Sequence, residues 1–370
     1  MAEAINIYVY FFIGNIYYLI AEFYLTKYVF CYIVISVNEL RKLEKPVTRT
    51  APVGAVSLSK ENFMPSNKNI FMDYRTQIQN LKNKNLIIED DNVAIYILNK
   101  VGYYGLINGY KGVFKNTYTN KYITGTTFDD IYRLFLFDND LREVFLKYIL
   151  IVERSIKSSI AYHFSDLYGY GISDYQDYSN YDYGNQQSQV QILFKKMNQK
   201  INGKNVSLQV KHHLDRYHDV PLWVLTTDLT LGETASMYRY LKGHCKTLVC
   251  NDFHHIGRAE LGKMIVLLTK TRNICAHGNR LFNVHTGNAI MDCLAHHKLK
   301  IPKTENLYKY GKSDLFATVI SLKYLLATAD FRLFYYELKK IIKKYNPSDN
   351  ILDIMGFPTN WMSILRIKVY

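Results

Sequence analysis

Residues 128–164 read FDDIYRLFLFDNDLREVFLKYILIVERSIKSSIAYHF, and their spacing decides the fold. Ile131, Phe135, Phe145, Tyr148, Ile149, Val152, Ile156 and Ile160 recur at helical intervals over many turns, so one long helix presents one apolar face. Asp138, Arg142 and Glu153 fall on that same stripe, with His163 at its edge. Charge at a core-facing position is costly unless it is paired. Asp138 and Arg142 stand four apart and can pair with each other. Glu153 needs a cation from elsewhere, for which Arg272 on a neighbouring helix is the candidate; the alternative is that this face meets water or another chain there.

Arg272 begins the stretch Arg272-Asn273-Ile274-Cys275-Ala276-His277, which closes the apolar run Leu261, Met264, Ile265, Leu267, Leu268. On a helix, an arginine and a histidine five apart lie near one face. Arginine is a permanent cation whose forked donors suit a phosphate. Histidine is the side-chain type that exchanges a proton near neutral pH. Together they suffice for RNA cleavage without a metal, because RNA supplies its own 2′-hydroxyl nucleophile. Arg239–His244 and Arg280–His285 have the same spacing, so spacing alone proves little. Context separates them: Gly243 reads as a helix end with His244 in the loop beyond, and Arg280 follows the turn signal Gly278-Asn279.

With 370 residues, 48% of them hydrophobic, the chain can bury a sizeable core. A formal charge of +14 favours a polyanionic partner, nucleic acid or an anionic membrane surface. The 33 tyrosines can stack on unpaired bases where they stand beside cations, although AT-rich coding DNA also produces such a composition. Five cysteines form no secreted disulfide framework and point to a reducing, cytoplasmic setting. Cys245, Cys250, His254 and His255 can be drawn as a zinc site, but their spacing is wrong for a finger. No metal or other cofactor is expected.

Residues 5–37 are rich in Ile, Tyr, Phe and Val. A membrane span over residues 7–25 is long enough, at the expense of Asn15 and Glu22 inside lipid. A signal peptide lacks its basic start and its cleavage site. The remaining reading is an upstream region translated from too early a start, with Met64 or Met72 nearer the true one. If the segment spans, Arg41, Lys42, Lys45 and Arg49 keep the following domain in the cytoplasm.

Downstream the pattern is helical. Helices are expected over Asp73–Lys84 and Asp91–Lys100, then a glycine-rich packing loop over 102–112. Further helices follow over Val190–Lys200, Leu208–Tyr217, Leu222–Leu231, Thr234–Leu241 (with Gly232 as the break) and Arg258–Ala276. Asp314–Lys344 holds two segments meeting near Asp330. Strands are scarce, so the expected class is all-α. Lys339 and Lys340 lie in a basic run at a helix C-terminus.

The ordered landmarks resemble the AbiD/AbiF-like abortive-infection proteins of bacteria, a branch of the HEPN superfamily. They are Tyr74–Leu81, Gly102-Tyr103-Tyr104, Gly109-Tyr110, Phe137–Arg142, Val152-Glu153-Arg154, Ala161-Tyr162-His163, Pro221-Leu222-Trp223 and Arg272–Leu281. The resemblance covers about residues 70–340. It implies a HEPN-like helical bundle over 126–346, preceded by an N-terminal extension and linker (1–66) and a small helical module (67–125), and followed by a C-terminal tail (347–370). It also implies a metal-independent endoribonuclease in which Arg272 holds the scissile phosphate, His277 serves as general base or acid and Asn273 orients a reacting group. Asp138, Arg142 and Glu153 would support the site, and Arg154, Arg280, Lys339 and Lys340 are candidate RNA contacts. In the superfamily two such domains pool their motifs, which implies a homodimer, or pairing with a degenerate half of the same chain around Glu153, Arg154 and His163. A regulatory small RNA is a further expected partner, and a non-catalytic RNA-binding module is the alternative function. Where the family often has a second histidine or serine after the motif histidine, this chain has Gly278.

Overall fold

The computed structural model describes residues 71–254 and 256–369, so the expectations for residues 1–66 lie outside the described residues. The chain divides into two compact units. In the smaller, described over 71–80 and 90–100, helix α1 (Tyr74–Lys82) starts where Asp73 accepts the Thr76 N–H, and α2 (Asp91–Val101) starts where Asp90 accepts the Asn92 and Val93 N–H groups.

The larger unit, residues 81–89 and 101–369, is built on α3 (Phe128–Tyr168), the 41-residue helix that the periodicity predicts. Thr127 and Asp130 form a reciprocal cap at its start, and Gly169, at φ +95°, ends it. Ile131, Phe145, Tyr148, Ile149, Val152, Ile156 and Ile160 are buried, as the stripe requires. Phe135 is only half-buried; Leu134, Phe137 and Leu141 are buried instead. The reason is that α3 is enclosed from several sides, so its buried surface is wider than one stripe.

The helices that follow are α4 (Ile172–Tyr175), α5 (Gln187–Asn202), α6 (Leu208–Tyr217), α7 (Leu222–Asp228), α8 (Leu231–Tyr240), α9 (Gly243–Asn251), α10 (Arg258–Ala276), α11 (Leu294–Lys298), α12 (Leu315–Leu325), α13 (Thr328–Tyr345) and α14 (Asp349–Ile354). Helices α7, α9, α10 and α13 pack directly on α3. Phe334 of α13 meets Phe145 and Tyr148 edge-on, at 5.2 and 5.3 Å between ring centroids. Strand β1 (Lys303–Thr304) pairs antiparallel with β2 (Leu307–Tyr308), and no other sheet exists among the described residues. The fold is all-α.

Four boundaries differ from the sequence reading. The break after α7 falls at Leu229-Thr230, and Gly232 lies inside α8, because Thr230 and Glu233 cap each other and start the helix there. A Cβ at Gly232 would stand 3.5 Å from the Thr269 methyl, an ordinary contact, so nothing in the packing there requires a glycine. His244 sits in the first turn of α9 rather than in a loop. The α12–α13 break comes at Leu326-Ala327, with Asp330 in the first turn of α13, where an acid favours the helix dipole. The glycine-rich segment is not plain loop: Tyr104–Asn108 form a π turn and Lys111–Phe114 a 3-10 turn. Beyond residue 346 the chain is integral to the core, with Phe316 of α12 5.1 Å from Phe357.

Candidate active site

Helix α10 runs from Arg258 to Ala276 and packs on α3, α8 and α12. Leu261, Met264, Ile265, Leu267, Leu268, Thr271 and Cys275 bury one side of it, which leaves Arg272, Asn273 and His277 at the boundary with solvent. Cys275 belongs to the packing: burial pushes its thiol up to about 12, so it stays protonated and is no nucleophile.

The end of α10 is a Schellman motif. His277 is the capping residue, Gly278 follows at φ +68°, and the N–H groups of Gly278 and Asn279 return to the carbonyls of Cys275 (3.2 Å) and Ile274 (3.0 Å). The glycine that departs from the family pattern is therefore the left-handed residue of the helix stop. It turns the chain sharply away and leaves the His277 side chain exposed.

Two ionic nodes on α3 support this end of α10. In the first, Asp138 is fully buried and accepts hydrogen bonds from the Tyr110 hydroxyl (2.7 Å), Arg142 Nη1 (2.6 Å), and the backbone N–H groups of Leu281 (3.1 Å) and Phe282 (2.6 Å). Arg142 also bonds the Asn139 side chain and the Asn279 carbonyl. Burial pushes the Asp138 carboxyl up, opposed by Arg142 and by the three other donors. This node clamps the segment immediately after the motif. In the second node, Glu153 Oε1 pairs with Lys157 Nζ at 2.8 Å, while Oε2 lies 3.6 Å from Arg272 Nε. That separation is an ion pair but too long for a hydrogen bond, and both atoms are buried without a hydrogen-bond partner. Arg272 keeps a third of its side chain exposed.

Neither the His277 ring nor the Asn273 amide has a partner among the described residues, so the chain brings Arg272, Asn273 and His277 to one helix end without bonding them together. Arg154 is exposed on α3, with no partner among the described residues. His163 instead pairs with Asp252 (3.0 Å), which also accepts from Ser159 (2.5 Å). Arg280 spends a donor on the Gly109 carbonyl at 2.7 Å. Lys339 and Lys340 are exposed on α13. Among the described residues no group of three or more His, Cys, Asp or Glu side chains converges as a metal site; Cys250 shares a hydrogen with the Tyr238 hydroxyl. No described helix is long and apolar enough to cross a membrane, and the candidate span at 7–25 lies outside the described residues.

Sequence reasoning missed Lys157 and Tyr110. Lys157 is legible, standing four residues after Glu153; Tyr110 stands among the landmarks of the resemblance, but nothing local points to its bond with Asp138.

These features define an all-α protein with a cation and a histidine displayed at one helix end, braced by buried acids on its longest helix. A family model described as Abi-like protein matches residues 96–283, half of the chain. The protein belongs to that family. The match takes in Asp138, Glu153, Arg272 and His277 and ends just past the clamped segment. Neither a curated protein nor a solved structure matches the chain.

Proposed function

We propose that this protein is an abortive-infection effector of the HEPN type that cleaves RNA at Arg272, Asn273 and His277. The observation that carries the reading is the state of Arg272: a guanidinium held beside Glu153 without a hydrogen bond, part exposed, on the last turn of the helix that His277 caps. A helix C-terminus is electronegative, so a phosphate approaching it needs a cation there. Arg272 supplies the charge that would hold the phosphate and offset its growing negative charge. His277 would take the 2′-hydroxyl proton or protonate the leaving 5′-oxygen. The 2′-oxygen bonds to phosphorus as the bond to the 5′-oxygen breaks, giving a 2′,3′-cyclic phosphate and a 5′-hydroxyl. The step needs both an acid and a base, and one chain presents a single histidine here with no group to orient it. That supports a homodimer whose two motifs share one site.

The test maps new RNA ends in cells expressing the wild type, Arg272→Ala or His277→Ala. New 5′-hydroxyl ends in the wild type alone are expected. Cleavage that persists in both variants overturns the assignment. The unoriented His277 ring also fits a second reading, a binding module that grips RNA without cutting it; salt-sensitive binding with no cut product in any sample favours that one.

A further inference from the structure

Most lysines that the structure fixes near a carboxylate are neutralised by it: Lys147 by Glu337, Lys157 by Glu153, Lys312 by Asp292, Lys344 by Asp140. Lys84, Lys111 and Lys115 are different. Lys115 pairs by a backbone bridge with Tyr122, whose own N–H bonds the Lys84 carbonyl, Lys111 stands four residues before Lys115, and none of the three makes an ion pair among the described residues. Lys111 Nζ is held by the Asn108 side chain. Lys115 Nζ donates to the Asn120 carbonyl and side-chain oxygens at 2.9 and 2.8 Å and sits 5.2 Å over the Tyr122 ring. All of those acceptors are neutral. The Tyr122 backbone N–H bonds the Lys84 carbonyl, which ties the third lysine to the same place. The Tyr122 hydroxyl is buried and has no hydrogen-bond partner, so a polar group there is also unused. Burial, together with the neighbouring lysines, lowers the pKa of Lys111 and Lys115. Three neighbouring cations, two of them held by neutral acceptors and none ion-paired among the described residues, are stabilised by an arriving polyanion.

The cluster is joined to the candidate active site by short links. Arg280, three residues after His277, bonds the Gly109 carbonyl. Tyr110 bonds Asp138 and stacks on Phe282 at 5.7 Å. Lys111 is the next residue. The backbone spans involved are at most ~11 Å from His277 to Arg280 and ~7 Å from Gly109 to Lys111.

We propose that Lys84, Lys111 and Lys115 form a second anchor for substrate RNA, gripping the phosphodiester backbone of the strand that Arg272 and His277 act on. This rests on the RNA reading given above. Such a site carries no base specificity and sets the register of the strand. It also explains why the segment after the motif is clamped so firmly: the clamp holds cleavage site and anchor in fixed relation.

The test is binding of a labelled single-stranded RNA oligonucleotide to the full chain carrying His277→Ala, followed by anisotropy across a range of salt. Adding Lys84→Gln, Lys111→Gln and Lys115→Gln is expected to weaken binding at least about tenfold and to lower the slope of log affinity against log salt by about 2, at roughly 0.7 per phosphate contact. Lys84→Gln alone, at an exposed side chain, is expected to lower the slope by about 0.7. A matched set of exposed lysines on and just after α5, Lys195→Gln, Lys196→Gln and Lys204→Gln, removes the same charge and is expected to change binding far less. Equal losses in both sets, or no loss in the first, overturn the anchor. So does stabilisation of the parent but not the triple variant by inorganic phosphate while RNA binding stays unchanged, because the site then serves free phosphate. If the His277→Ala parent binds no RNA at all, the RNA reading fails and the anchor with it; cleavage by the wild type with normal binding by the triple variant sinks the anchor alone.

Discussion

Asp138 and Glu153 lie about four turns apart on α3, both buried and both beside an arginine. Their surroundings differ in one respect. Every oxygen of Asp138 is engaged by hydrogen bonds, two of them from the backbone of the segment that follows the motif. One oxygen of Glu153 has none, and the arginine facing it is equally unengaged. A satisfied buried acid fixes structure; an unsatisfied pair restrains a cation without holding it. The first node is architecture, and the second leaves Arg272 able to turn to another anion.

Asp138→Ala is the strongest way to break the comparison. It strands Arg142 and two backbone N–H groups together, so unfolding in urea is expected to show a loss of about 3–5 kcal/mol. A loss below about 1 kcal/mol would show that the node is not the clamp described.

A third buried acid sharpens the contrast, because Asp314 is held by backbone donors and makes no ion pair within 4 Å among the described residues. It accepts the N–H groups of Gly311 (2.8 Å) and Ala317 (2.9 Å) at the start of α12, and burial pushes its carboxyl up to about 6 from an ordinary 3.8. Between those values the folded chain keeps a proton that the unfolded chain releases. Its contribution is therefore full below about pH 4 and lost as pH rises through 6. Unfolding free energies from urea titrations between pH 4 and 7 should fall with rising pH by an amount on the order of 2 kcal/mol, and Asp314→Asn should flatten that trend. A trend unchanged in the variant would assign it to other groups.

Gly278→Ala probes the turn between the two nodes. Nothing lies within 4 Å of a Cβ built there, so the expected cost, about 1 kcal/mol, comes from the left-handed backbone alone. A thermal melt indistinguishable from wild type would mean that the end of α10 relaxes around the change.

Much of this was legible in the chain. The bounds of α10 follow from the apolar spacing before Arg272 and from Gly278 after His277. Glu153 facing Arg272 followed from a single inference, that a charge on a buried stripe needs a partner. The Asp138 node was only half readable, because the Leu281 and Phe282 donors are backbone groups, which leave no trace in side-chain chemistry. At the α8 start the Thr230–Glu233 cap outweighs the helix-breaking tendency of Gly232, which lies in the first turn.

The smallest expected effect on stability falls on the residue expected to matter most for activity. Arg272 is a third exposed and its 3.6 Å contact with Glu153 is screened by solvent, so Arg272→Ala should cost no more than about 1 kcal/mol. RNA cleavage, by contrast, should be abolished. Glu153→Gln separates restraint from chemistry: it removes the charge facing Arg272 while keeping the shape of the side chain, and it also takes the counter-charge from Lys157, so some stability is lost. If Glu153 only restrains Arg272, the folded variant's substrate KM changes more than its kcat. A loss of kcat equal to that of Arg272→Ala, with KM unchanged, would instead place Glu153 among the groups that act on the reacting atoms. The two nodes would then differ in chemistry as well as in how well their hydrogen bonds are filled.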